Sequence, residues 1–165
     1  VLQRYWPEFL ARLAPTVNGY TRLVKGAWAP TAATWGVENR TAAIRVIPGD
    51  ERSQRIEVRA GGADANPYLV QAAALAAMEM GMAEGLVPDE PVAGNAYEAE
   101  EHLAPDYHFA SDLASAASRF AESSAAKHCF GEAFVEHFAM TRHWEAREYH
   151  RTINSWQLER YFEIV

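Results

Sequence analysis

The sequence predicts an α+β fold, with a few antiparallel strands in its first half and a mostly helical C-terminal half. Three observations predict it. Residues 39–46 and 55–59 are short segments in which aliphatic and charged side chains alternate, the period of a strand with one buried face. Asn66-Pro67 opens a long Ala-rich run that stops at Gly85, the cap and stop signals of a helix. Beyond residue 110 the pattern is helical, with Phe130, Phe134 and Phe138 at i, i+4 and i+8 marking one buried stripe.

In chain order, residues 2–13 read as a short helix ended by Ala14-Pro15, because the residue before a proline is driven out of helical geometry. Residues 17–30 read as a loop broken by Gly19, Gly26 and Pro30. One strand is expected over about residues 33–37, running on to 47, and a second over about 54–60, with Asp50-Glu51 as the turn between them. Gly61-Gly62-Ala63-Asp64-Ala65 reads as a flexible loop and residues 66–84 as the capped helix. Residues 88–105 form a polar excursion containing Pro and Gly. No repeat or linker divides the chain, and 165 residues suffice for one domain with a real core.

Composition excludes several classes. A net charge of −7 argues against a nucleic-acid surface. Between residues 20 and 60, however, six Arg and one Lys face only four acids, which suits a small anion better than a polymer. Cys129 is the only cysteine, so a disulfide scaffold and a zinc–cysteine site are both excluded. A reducing compartment, the cytoplasm, is the expected location. The longest apolar stretch, residues 70–82, is interrupted by Gln71 and Glu79 and falls short of the ~20 residues of a membrane span.

The alternating segments also carry the candidate chemistry. Ile44 and Val46 share one face and Arg45 takes the other, while Ile56 and Val58 lie opposite Arg55, Glu57 and Arg59. Arginine suits bidentate grip on carboxylates and phosphates. A single Glu among them makes sense where a cation is also bound, so the face reads as a site for a multiply anionic substrate and a metal ion. The same pattern also describes surface charge on an edge sheet, with Glu57 as an ion-pair partner. The six histidines show no metal-binding spacing. His128 beside Cys129 makes a poor catalytic pair, because adjacent helical residues point about 100° apart. Gly61-Gly62 lacks the Lys and spacing of a phosphate-binding loop.

Taken together, Asn18-Gly19-Tyr20-Thr21-Arg22-Leu23, Ala29-Pro30, Asn39-Arg40-Thr41-Ala42-Ala43-Ile44-Arg45, Arg55-Ile56-Glu57-Val58-Arg59 and Ala63-Asp64-Ala65-Asn66-Pro67-Tyr68-Leu69 resemble, in order and spacing, the C-terminal part of the glutamine synthetase catalytic domain. Residues 156–165 resemble that family's closing helix. Residues 1–165 are therefore expected to be the C-terminal portion of such a domain, with the N-terminal domain and the first half of the catalytic domain lying outside it.

The resemblance implies ATP-dependent phosphorylation of the γ-carboxylate of glutamate, followed by displacement of the phosphate by an amine. It implies that Arg22 and Arg59 hold the glutamate carboxylates and that Arg40 stabilises the transferring phosphoryl group. Arg45 and Arg55, with Arg52 nearby, would contact ATP phosphates, and Glu57 would ligate Mg²⁺ or Mn²⁺. It also implies a homo-oligomer, since the family forms stacked rings, although ring assembly is not expected of this piece alone. One departure bears on the acceptor. Ammonia-using members carry a Glu just before the Ala-Pro that corresponds to Ala29-Pro30, and here that position is Trp28. With the Trp35-Gly36-Val37-Glu38 run and Gly62-Ala63-Asp64, Trp28 resembles the γ-glutamylpolyamine synthetase branch. Three functions follow as expectations: a ligase acting on an organic amine, a true glutamine synthetase using ammonia, or a catalytically dead adaptor.

Overall fold

A computed structural model describes residues 2–164. The chain forms helices α1 (Leu2–Leu13) and α2 (Val17–Arg22), then strands β1 (Trp35–Val37), β2 (Ile44–Ile47) and β3 (Arg55–Val58). Helices α3 (Pro67–Ala83), α4 (Ala96–Ala99), α5 (Leu113–Glu122), α6 (Ser124–Phe130), α7 (Glu132–His150) and α8 (Ser155–Tyr161) follow, with two 3₁₀ turns at Glu100–His102 and Pro105–Tyr107. After α1 and α2 the order is the expected one, strands before the remaining helices.

Helix α1 sits at the centre. Leu2, Tyr5, Trp6, Phe9, Leu10 and Leu13 recur at helical spacing and all are buried. The helix packs against α3 on one side and α5 on the other, and α5 packs in turn on α7. Phe9 joins these layers, meeting Phe130 edge-on at 5.2 Å between ring centroids and Phe120 at 6.5 Å. The Phe130, Phe134 and Phe138 stripe is real but spans two helices. Phe130 ends α6, Gly131 turns the chain at φ 81°, and Phe134 and Phe138 continue on α7.

Helix α3 follows its end signals. The Asn66 side chain accepts hydrogen bonds from the Tyr68 and Leu69 amides, and Pro67 occupies the first helical position, where its missing N–H costs nothing. At the other end Gly85, at φ 64°, lets the Leu86 amide donate to the Gly81 carbonyl and its own amide donate to Met82. That is the paired bonding which closes a helix through a left-handed residue. The buried side of α3 carries only Ala73, Ala77 and Gly81, so its backbone lies close to α1.

The sheet departs from expectation in two ways. The first strand does not run from 33 through 47: it breaks after Val37, where Glu38 takes a φ of 51°, and resumes at Ile44. Nor are the strands all antiparallel. β2 and β3 are, with Arg45 opposite Glu57 and Val46 opposite Ile56, but β1 pairs parallel to β2, Trp35 opposite Ile44. Parallel neighbours ordinarily need a crossover of a dozen or more residues. Residues 38–43 suffice here because β1 has only three residues and the chain must climb back only about 10 Å. The expected loop at 17–30 also begins as helix α2, whose Tyr20 is buried in the core.

The sheet places the site. One face presents Ile44, Val46 and Ile56 to Leu2 of α1 and to Met78 and Met82 of α3, around an apolar cleft of about 390 Å³. The other face carries Arg45, Glu57 and Arg59.

Candidate active site

The antiparallel register of β2 and β3 sets Arg45 directly across from Glu57, and Arg59 follows Glu57 by two residues on the same face. The Glu57 carboxylate is gripped from both sides: Arg59 Nη1 reaches Oε1 at 2.8 Å and Arg45 Nη1 reaches Oε2 at 3.2 Å. Arg45 also pairs with Glu38, at the break after β1. Burial pushes the Glu57 carboxyl up, but the hydrogen bond and charge of Arg59, then those of Arg45, outweigh it and hold the group below its ordinary range. Glu57 is therefore a carboxylate at neutral pH.

Trp28, Arg40, Arg45, Glu57 and Arg59 line one cleft of about 540 Å³. Three guanidinium groups there meet the Glu57 carboxylate and, through Arg45, that of Glu38, which leaves an excess of positive charge although the chain is acidic. The Nε–H groups of Arg45 and Arg59 are buried with no acceptor among the described residues. Arg40 is exposed and is not tied into the Glu57 ion-pair network. Unsatisfied buried donors and an uncommitted guanidinium fit a phosphate or carboxylate group placed in this cleft.

Trp28 forms one wall. Its backbone sits at φ 56°, a conformation that bulky residues seldom adopt, and its indole is 66% exposed. Arg59 Nη2 donates to the Trp28 carbonyl at 2.8 Å, so one guanidinium joins Glu57 to the Trp28 loop. Trp28 and Arg40 also line a second cavity, of about 780 Å³, which adds Val37, Glu38, Val92 and Tyr97. The two residues stand between the cationic cleft and this more apolar space.

Other expected site residues lie outside the cleft lining. Arg22 donates to the Ala60 carbonyl at 2.8 Å and more weakly to that of Arg59, which anchors the end of β3 from behind. Arg55 shares the parity of Glu57 but is exposed, and it donates to the Ser53 carbonyl. Arg52 lies on the exposed turn before β3, where the Asp50 carboxylate accepts from the amides of Arg52 and Ser53. Arg52 and Arg55 are thus exposed and do not line the cleft that holds Arg40, Arg45 and Arg59.

A divalent cation fits Glu57 as one ionised ligand among several, since Mg²⁺ is commonly held by one or two carboxylates plus substrate phosphates and water. Among the described residues no group of three or more His, Cys, Asp or Glu is placed to hold a metal by itself. Cys129 is not part of any such site: it contacts Met80, and burial raises its thiol pKa. No helix is long and apolar enough to cross a membrane among the described residues.

Sequence reasoning missed the residues that hold this site in place. Asn39 donates to the carbonyls of Val92 and Gly94, Tyr97 donates to that of Ala29, and Glu100 accepts from Thr31. These partners are separated by 53 to 69 positions, so no local pattern announces them.

Comparison with known proteins identifies the family. Residues 2–161 match the family described as glutamine synthetase, catalytic domain. The chain is 42% identical over 160 residues to type-1 glutamine synthetase 2 of Dictyostelium discoideum, covering 96% of this chain and 30% of that protein. It is 39% identical over 158 residues to a glutamate–isopropylamine ligase of a Pseudomonas species, covering 96% of this chain and 34% of that one. A solved complex of GmaS with ADP superposes with a TM-score of 0.81 at 29% identity, over 98% of this chain and 38% of GmaS. The chain spans about a third of the length of the curated relatives it matches. With residues 2–161 matched to its model, the chain belongs to the glutamine synthetase family, within the catalytic domain.

Proposed function

We propose that this chain is the C-terminal portion of the catalytic domain of an ATP-dependent glutamate–amine ligase whose acceptor is an organic amine. The observation that carries the proposal is the placing of Trp28 beside Arg40, Arg45, Glu57 and Arg59 at the wall of one cleft. ATP supplies the phosphoryl group that turns the γ-carboxylate of glutamate into an acyl phosphate, from which the amine displaces phosphate. The residues of this chain bind and neutralise. Arg22 and Arg59 are assigned to the glutamate carboxylates, Arg59 directly and Arg22 by shifting from the carbonyls of residues 59 and 60. Arg45 and Arg55, with the exposed Arg52, are assigned to the ATP phosphates, and Arg40 to the charge on the group in transfer. Glu57 is assigned to Mg²⁺ or Mn²⁺. Phosphoryl transfer depends chiefly on positioning and on charge neutralisation of this kind.

Trp28 decides the acceptor. An indole carries no charge to attract ammonium and no base to deprotonate it, whereas its face holds an organic cation and its ring an alkyl chain. The adjoining cavity, with Val37 and Val92, leaves room for such a substituent. Relatives named for isopropylamine, ethanolamide and putrescine chemistry support an organic amine. One observation favours ammonia instead, the 42% identity to a protein named as a glutamine synthetase.

Among the described residues Glu57 is the only carboxylate lining the cleft, and further metal ligands are assigned to the rest of the complete protein. Assembly into a homo-oligomer is part of the proposal, as the family's ring architecture implies. The experiment is phosphate release from ATP, with mass analysis of the product. The complete protein is expected to release phosphate only with glutamate present and to yield a γ-glutamylamide, while residues 1–165 alone release none. Turnover by the 165-residue chain alone, or no amide from the complete protein, contradicts the proposal.

A further inference from the structure

Residues 92–100 run beside the Trp28 loop and are tied to it and to the Arg40 turn along their length. Asn39 Nδ2 donates to the Val92 carbonyl at 3.0 Å and to that of Gly94 at 2.8 Å. The Ala96 amide donates to Thr41 Oγ1 at 2.8 Å, while the Asn39 carboxamide oxygen accepts from the Thr41 amide and hydroxyl. The two residues flanking Arg40 are thereby fixed to this segment.

Its far end grips residues 25–31. Tyr97 donates its hydroxyl to the carbonyl of Ala29, the residue after Trp28, at 2.8 Å. Glu100 is buried, 5% exposed, and lies between the two ends of the loop: Thr31 Oγ1 donates to it, and Lys25 Nζ stands 3.6 Å from its other oxygen. Lys25 Nζ also reaches the Tyr97 carbonyl at 3.4 Å. Gly26 at φ 85° and Trp28 at φ 56° lie between these anchors, so the loop is held at its ends and at Ala29 while the indole stays outside. Burial first, then the charge of Glu100, raises the Tyr97 phenol pKa, so the hydroxyl remains a donor at neutral pH.

We propose that residues 92–100 are a strap that holds the Trp28 loop in its working position, with Tyr97 and Glu100 as positioning residues for the acceptor side of the site, resting on the acceptor role given to Trp28 above. Neither residue needs to touch substrate. Each restrains backbone on either side of Trp28, and a wall held in this way selects an acceptor by shape.

The test is limited proteolysis of the complete enzyme with each cut assigned by mass, because Lys25 lies in the Trp28 loop and Lys127 on helix α6. A lysine-specific endoprotease therefore reports separately on the loop and on helix α6. Tyr97→Phe keeps the ring and removes one hydrogen bond, which is expected to accelerate cleavage at Lys25 about 5-fold. Cleavage at Lys127 should keep its wild-type rate. Glu100→Gln preserves an acceptor for Thr31 but removes the attraction for Lys25, and it serves as the second variant if Tyr97→Phe folds poorly. In the complete enzyme, Tyr97→Phe should raise KM for the amine by a similar factor and leave KM for glutamate and for ATP unchanged.

Unchanged cleavage at Lys25 in both variants overturns the strap. Equal acceleration at both lysines also overturns it, because general unfolding would then account for the result. Faster cleavage at Lys25 alone, with KM rising for glutamate rather than the amine, supports the strap and refutes the acceptor role of Trp28.

Discussion

In the complete enzyme, Arg40→Ala is expected to lower kcat by ~10²-fold or more while changing KM for glutamate little. The reason lies in how the three cleft guanidinium groups are engaged. Arg45 is shared between Glu38 and Glu57, and Arg59 between Glu57 and the Trp28 carbonyl. Their positive charge is partly balanced before any substrate arrives. Arg40 is exposed at the cleft wall and has no ion-pair partner among the described residues, so in the proposed reaction its donors can meet charge that develops as a phosphoryl group moves. An interaction strongest in the transition state appears in kcat, and one made equally with bound substrate appears in KM. Collapse of glutamate affinity with kcat preserved would make Arg40 a ground-state clamp and refute this assignment.

The second large effect is expected at Trp28. Trp28→Glu should move the ratio of kcat/KM values toward ammonia, by raising use of ammonia and lowering use of alkylamines. A carboxylate at this position restores both an attraction for ammonium and a nearby proton acceptor, and removes the apolar wall. Its new charge would lie on the same cleft as Arg40 and Arg59, which favours the deprotonated acid. Full conversion is not expected, because Val37, Val92 and Tyr97 still shape the adjoining cavity. The same ratio in both proteins would show that Trp28 only packs its loop.

Both effects concern residues that the family resemblance singled out, whereas the other members of the cleft follow from periodicity. Arg45, Glu57 and Arg59 could be placed on one face because strand side chains alternate and the aliphatics between them need a core. Helix α3 was equally legible, since Asn66, Pro67 and Gly85 each do locally what their side chains or backbone freedom dictate. Helix α2 was not. Its Thr16 makes no capping bond and Gly19 lies inside it, so burial of Tyr20 holds a helix that local signals disfavour. The parallel pairing of β1 was hidden for a related reason: three residues carry too little pattern to reveal direction.

Glu57 shows where residue chemistry alone leaves two readings standing. A carboxylate between two arginines is an ion-pair partner in this structure, and the low pKa which that pairing produces is also what a metal ligand requires. The strap was beyond sequence reasoning. Residues 92–100 look like a polar excursion until the fold sets Tyr97 beside Ala29 and Glu100 between Lys25 and Thr31.

The proposed ligation of glutamate to an organic amine rests on the arginine cleft with Trp28 at its wall. The most direct measurement is a competition in which the complete enzyme, ATP and glutamate meet equal concentrations of ammonia and a panel of alkylamines and diamines, with each γ-glutamyl product quantified by mass. The expected result is that an amine product dominates and glutamine is minor. Glutamine as the dominant product would make ammonia the acceptor and refute the amine-ligase assignment.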